Sequence, residues 1–178
     1  AQSLEELIQR EGPETIAAFF AEPIMASGGV IIPPETYYEK IQAILKKYDI
    51  LLVADEVICG FGRTGNMFGS ETFGMKPDMI TLAKQLSAGY QPISALMVNQ
   101  KIYESLVDQS RKLKTFGHGF TYTGHPVTSA VALKTLEIYE QMDVVSRVRA
   151  LTPDFQAGLR ELGEHPLVGD VRCSGLLG

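Results

Sequence analysis

No apolar stretch of the 178-residue chain reaches the roughly 18 residues that a membrane-spanning helix needs, so no membrane association is expected. There is no basic stripe either. The net charge is -5 and like charges do not run together, which sets nucleic acid aside as a partner. Cysteine is scarce. Cys59 and Cys173 make neither a disulfide framework nor a metal-ligand spacing, and they suit a reducing, cytoplasmic setting. No secretory leader, internal repeat or low-complexity segment is recognisable. What is there is ordinary globular composition, 45% hydrophobic and 21% charged, in a chain long enough to bury a sizeable core. The opening AQSLEELIQREGP reads as an amphipathic helix stopped by Gly12-Pro13. The closing VGDVRCSGLLG begins as a strand and stops among small and apolar residues, so the chain is expected to be a piece of a longer protein.

Strand and helix patterns alternate. TIAAFFAEPI is a short apolar run ending in Glu22-Pro23, the pattern of a buried strand. Pro33-Pro34 opens a helix with Tyr37, Ile41, Ile44, Leu45 and Tyr48 on one face. ILLVADE, DMITLA and PISALMV read as three further strands. A helix is expected from Pro126 to about Met142, and another to about Leu162 that Pro153 kinks or breaks. Near-continuous apolar strands between helices imply an α/β fold, a mostly parallel sheet covered by helices on both faces.

Such sheets bind ligands at the carboxyl ends of their strands. Glu22 ends the first strand, Asp55-Glu56 the second, and Lys84 lies just past the third, so three ionisable groups are expected on one rim. Between them Gly60-Phe61-Gly62-Arg63-Thr64-Gly65 matches G-x-G-x-x-G letter for letter. A dinucleotide site needs the last glycine to open a helix and an acidic residue to end the next strand. Here NMFGSETFGMKP follows without helical period and Asp78 begins the strand, so the glycines are read as a sharp loop.

The segment LLVADEVICGFGRTGNMFGSETFGMKPDMITLAKQLSAGYQPISALMV, with AEPIMASGGVIIPP upstream and GHGFTYTGHPVTSAVALKTLE downstream, resembles the class III aminotransferases. These are pyridoxal-phosphate enzymes of the aspartate-aminotransferase-like fold, fold type I. The F-T-Y-x-G-H-P form resembles most the branch that uses pyruvate with ω-amino acids or amines. The resemblance implies that residues 1–142 are the central part of the cofactor-binding large domain, and that 143–178 are a connecting helix and the start of a C-terminal small domain.

It also implies roles. Lys84 would carry pyridoxal phosphate as a Schiff base and, when freed, shuttle the substrate proton. Asp55 would face the ring nitrogen. An opposite charge at this range shifts a pKa by about 1–3 units, enough to keep that nitrogen protonated. Val57, two residues on, points the same way as Asp55 if the strand persists, and would lie against the ring. Thr121, with a backbone N–H from Phe120 or Thr121, would reach the cofactor phosphate of a neighbouring subunit, which makes a homodimer with shared sites. Glu22 would lie near the substrate and pair with an arginine beyond Gly178. Arg63 is read as a brace for the glycine loop, and His118 and His125 as loop structure, with no metal. The phosphate loop and stacking aromatic are expected upstream of Ala1, and the carboxylate-binding arginine downstream. The implied reaction is amino transfer from an amine or ω-amino acid to a 2-oxo acid. A pyridoxal-phosphate aminomutase or decarboxylase, a non-catalytic dimerisation domain and a nucleotide-binding oxidoreductase are the alternatives.

Overall fold

The computed structural model describes residues 1–178. One sheet carries four strands in the order β1 (Ala18–Ala21), β2 (Leu51–Asp55), β3 (Met79–Leu82) and β4 (Ala95–Val98). β1, β2 and β3 pair in parallel, and β4 runs antiparallel to β3. The reversal has a local cause. Residues 83–94 hold a single 3-10 turn, Lys84–Leu86, in place of a crossover helix, so β4 folds straight back alongside β3. β2 is the central strand, and Leu52, Val53 and Ala54 are buried on its two faces.

Helices α1 (Gln2–Glu11) and α2 (Tyr37–Lys47) close the main core, where Ile8, Tyr38, Ile41, Leu45, Ile50, Leu52, Ala54 and Met75 are buried together. Tyr38, Ile41 and Leu45 recur at helical spacing, which is why α2 presents one apolar stripe to the sheet. The helix starts at Tyr37 and not at the proline pair. Pro34 disfavours the helical conformation at Pro33, and the first turn closes with Tyr37 N–H donating to the Pro34 carbonyl at 2.9 Å.

The short helix α3 (Gly69–Thr72) follows the glycine loop, and Asn99 caps α4 (Gln100–Leu113) by accepting from Ile102 N–H at 3.0 Å. α5 (Pro126–Gln141) and α6 (Val144–Leu162) come last. Of the kink or break expected at Pro153, the break does not occur. α6 runs through it, the neighbouring Thr152 hydroxyl donating to the Val148 carbonyl at 2.7 Å. α5 packs through Ala132, Leu136 and Tyr139 on Phe61, Leu82 and Leu86. The strand expected in VGDVRCSGLLG is also absent. Gly175, at φ +56°, turns the chain, and Ser174 and Leu177 form an isolated bridge.

Alternation puts Leu52, Ala54, Ile80 and Leu82 toward α1, α2 and α5. Phe20, Val53, Asp55, Thr81 and Leu96 share the other face, where Phe20 is 68% and Leu96 56% exposed.

Candidate functional site

The carboxyl ends of β1, β2 and β3 lie side by side, adjacent strands being about 4.8 Å apart. Glu22 follows β1, Asp55 ends β2 in register with Thr81 of β3, and Lys84 comes two residues after β3. Glu22, Asp55 and Lys84 therefore lie at the same end of the sheet.

Asp55 is half-buried. Its Oδ1 accepts from Val57 N–H at 3.0 Å, and its other oxygen has no hydrogen-bond partner in the chain. β2 stops at Asp55, so strand alternation does not set the direction of Val57; the hydrogen bond across the turn is what ties the two. Lys84 is exposed and enters no ion pair. Its backbone is left-handed, at φ +42°, a conformation uncommon for a residue with a side chain and one that concentrates at functional sites. Glu22 is partly committed, since its Oε2 accepts from Ala26 N–H at 3.1 Å. Its carbonyl accepts from the Tyr38 hydroxyl at 2.5 Å; burial raises the pKa of that phenol and keeps it a donor.

Glu56 was not given a role by sequence reasoning, yet it is the most buried acid of the chain, at 0% exposure. Its Oε2 accepts from Gly69 N–H at 2.9 Å and its Oε1 from Ser70 N–H at 2.6 Å. Burial pushes its pKa up, and the Ser70 side chain and the two N–H donors oppose that. Thr81 was missed as well. Its Oγ1 is buried, has no partner, and belongs to the face that carries Asp55. Alternation along ADE was the available signal, because it sends Asp55 and Glu56 to opposite faces and leaves one carboxylate under the helices.

The glycine loop offers no phosphate cradle through its glycines. Gly60 N–H donates to the Glu56 carbonyl, Gly62 N–H to Met67 and Gly65 N–H to Gly62, at 3.0, 3.2 and 2.9 Å. Asp78 is engaged at the far end of the sheet, accepting from Leu52 N–H at 2.9 Å and from the Asn99 side chain at 2.7 Å. The side chain that braces the loop is Arg149 of α6, where Arg63 was expected. Arg149 donates to the Gly65 carbonyl at 2.6 Å and to Asn66 Oδ1 at 2.8 Å. Arg63 contributes its carbonyl, which accepts from Leu176 N–H at 3.0 Å.

Phe120 and Thr121 lie apart from the rim residues in the exposed link between α4 and α5, and no hydrogen bond joins the two regions. Phe120 N–H is taken by the Thr123 hydroxyl at 2.8 Å, which leaves Thr121 as the expected donor still free. His118 stacks edge-on with Phe116 and Phe120, and His125 precedes α5 as its N-cap residue.

This arrangement suits a cofactor with an aldehyde and a basic ring nitrogen. The rim holds an unpaired amine and, on the adjacent strand, a carboxylate with one oxygen uncommitted.

Comparison with known proteins points the same way. The family model for class-III aminotransferases matches residues 1–178. Gamma aminobutyrate transaminase 3, chloroplastic, of Solanum lycopersicum is 57% identical over 177 residues, which are 99% of this chain and 34% of that protein. Vanillin aminotransferase of Capsicum frutescens is 52% identical over 176 residues, 99% of this chain and 38% of that protein. Among solved structures, the omega transaminase from Pseudomonas jessenii in complex with PMP aligns with a TM-score of 0.93 at 55% identity, covering 97% of this chain and 38% of that one. A transaminase with L-ala aligns at 0.94 and 58% identity, covering 98% and 41%. The chain thus spans about a third of the length of the curated relatives it matches.

Proposed function

The chain belongs to the class-III aminotransferases, and from that premise we propose that the whole protein is a pyridoxal-phosphate-dependent aminotransferase. It moves an amino group from an amine or ω-amino acid to a 2-oxo acid such as pyruvate. The observation that carries this reading is the pair Asp55 and Lys84 on the ends of adjacent parallel strands, each with a group left unpaired by the chain.

Pyridoxal phosphate, when bound, supplies an electron sink and a temporary carrier for the amino group. The residues of this chain supply the rest. Lys84 Nζ is the attachment point for the aldehyde carbon. Once freed, it takes the proton from the substrate carbon that bears nitrogen and returns it elsewhere, as general base and then acid. The left-handed backbone at Lys84 supports that role, because strain of this kind persists where the surrounding structure fixes a side chain for a task. Asp55 keeps a proton on the ring nitrogen through its uncommitted oxygen, while Val57 N–H holds the other oxygen still. Val57 would lie against the ring, and Glu22 would lie beside the substrate.

Thr121 donates to the phosphate across a homodimer interface. Its exposure supports this, as does that of its neighbours Phe120, 76% exposed, and Tyr122, 80% exposed. The names of the relatives suggest the donor class. The amine of γ-aminobutyrate sits on a CH2, so a terminal primary amine is the proposed donor.

The test uses the full-length protein. Borohydride reduction should fix a pyridoxyl group on the peptide that contains Lys84. A label on Lys76 or Lys101 would refute the assignment. Product analysis with and without a 2-oxo acid acceptor separates transamination from decarboxylation or amino-group migration.

A further inference from the structure

Glu56 stands between the two residues assigned to the ring, and all of its polar groups are tied to something else. Its N–H donates to the Thr81 carbonyl at 3.0 Å, which carries the β2–β3 ladder one residue past Asp55. Its carbonyl accepts from Gly60 N–H at 3.0 Å and closes the turn that contains Val57. Its carboxylate takes the first two N–H groups of α3, at 2.9 and 2.6 Å, inside the protein. Glu56 is thus anchored at four points, its two peptide planes to β3 and to the glycine loop and its carboxylate twice to α3. Those planes belong to Asp55 on one side and Val57 on the other.

We propose that Glu56 is a positioning residue for the cofactor ring: by gripping the start of α3 from inside the fold, it fixes the backbone that aims Asp55 and Val57. This rests on the reading of Asp55 as partner of the ring nitrogen. A carboxylate suits the task because its two oxygens can each accept from a different N–H. An amide of the same size presents one oxygen and one NH2, so one buried donor of α3 would lose its partner and face another donor. The freed turn would let Asp55 shift, and displacements of about 1 Å near reacting groups cost about 100-fold in rate.

The experiment compares Glu56→Gln with Asp55→Asn and with Ile41→Val, a mild core change remote from the rim, all in the full-length holoenzyme. Three quantities are read: kcat and KM for the amine, the visible absorbance of the bound cofactor across pH, and the melting temperature. The expected result for Glu56→Gln is a kcat lowered about 10–100-fold with little change in KM. The absorbance transition should shift in the same direction as in Asp55→Asn. Ile41→Val should lower the melting temperature and leave kcat and the absorbance profile as they are.

A Glu56→Gln enzyme with normal kcat and normal absorbance, whatever its melting temperature, overturns the proposal. Glu56→Asp keeps the charge and shortens the reach by one methylene. It is read in the same way, so the test survives if the glutamine variant does not fold, and normal kcat and absorbance there also overturn the proposal. If Asp55→Asn is itself normal, the reading of Asp55 fails. If Asp55→Asn is impaired and the Glu56 variants are not, this proposal alone fails.

Discussion

A single methyl group added at Gly69 should cost the fold measurable stability. A Cβ there falls 2.7 Å from the Cβ of Cys59, and 2.9 and 3.1 Å from the Cβ and Cγ of Pro23. Carbon atoms in contact normally sit about 3.5–4.0 Å apart, so one side has to give by about 0.8 Å. Neither neighbour can yield by a rotamer change. The contacts are to a Cβ, fixed by its backbone, and to a proline ring, and both residues are fully buried. The movement must come from the start of α3, and it lengthens the 2.9 Å bond from Gly69 N–H to Glu56. Overpacking of this kind costs about 1–3 kcal/mol and a weakened buried hydrogen bond about 1 more. Together that is about 2–4 kcal/mol, read as a lowered Tm of the full-length protein. Gly158 is the matched control. It lies inside α6, a Cβ there meets nothing within 4 Å, and alanine should raise stability by about 1 kcal/mol. Thermal unfolding followed by circular dichroism, on both variants in one buffer, reads the difference. A Gly69→Ala protein that melts with wild type would refute the packing argument, and so would a Gly158→Ala protein that falls as far as Gly69→Ala.

The shared-site assignment of Thr121 predicts rescue in mixed dimers. Lys84→Ala and Thr121→Ala chains, each impaired alone, should together give up to about half of wild-type activity per heterodimer, because two-fold symmetry leaves one site with both lesions and the other with none. No rescue in verified heterodimers places Thr121 on its own chain's cofactor. The cysteines should separate by reactivity. Burial pushes the Cys59 thiol up to about 11, so at pH 8 roughly a thousandth of it is thiolate, while Cys173 is half-exposed. Iodoacetamide at pH 8 should therefore mark the Cys173 peptide first by mass spectrometry, and equal labelling of both in the folded protein would contradict the burial of Cys59. The same shift makes the fold lose stability as pH climbs from the ordinary thiol value, about 8.5, through about 11. A Cys59→Ala protein should lose less stability than wild type over that window.

What the sequence disclosed was what depends on neighbours along the chain. The stripe through Ile41, Ile44 and Leu45 repeats at helical spacing and needs no partner to be seen, although the tyrosine that is buried with it is Tyr38 and not the expected Tyr37. The rim residues followed from the rule that strands end where apolar runs end, so Glu22, Asp55 and Lys84 could be placed before any pairing was known. What stayed hidden depends on contacts made at a distance. Arg149 reaches the loop across 84 positions of sequence, and Arg63, which sits in the loop, was the nearer candidate. Glu56 finds its donors 13 and 14 residues on, in a four-residue helix too short to show a period. Pro153 reads as a stop on local grounds, yet α6 continues because helices on a packed surface outlast one missing donor. The direction of β4 was equally illegible, since a short apolar strand reads the same in both directions.

The letters G-x-G-x-x-G then acquire a use that has nothing to do with nucleotides. A chain that leaves β2 at Asp55 must come back within 13 residues to bring Gly69 N–H onto Glu56. Gly60 allows the first turn, because a Cβ there would lie 2.7 Å from the Glu56 carbonyl that its own N–H needs at 3.0 Å. Gly62 at φ +95° and Gly65 at φ +91° complete the reversal in a region of backbone space that side chains avoid. Each of the three glycine N–H groups is spent on a carbonyl of the loop or its base, and Arg149 closes the outside through the Gly65 carbonyl. The loop is therefore a folded strap whose far end returns to the residue beside Asp55. The glycines and the carboxylate pair are one device: the glycines bring α3 home, Glu56 holds it, and Asp55 is left pointing at the rim with one oxygen free.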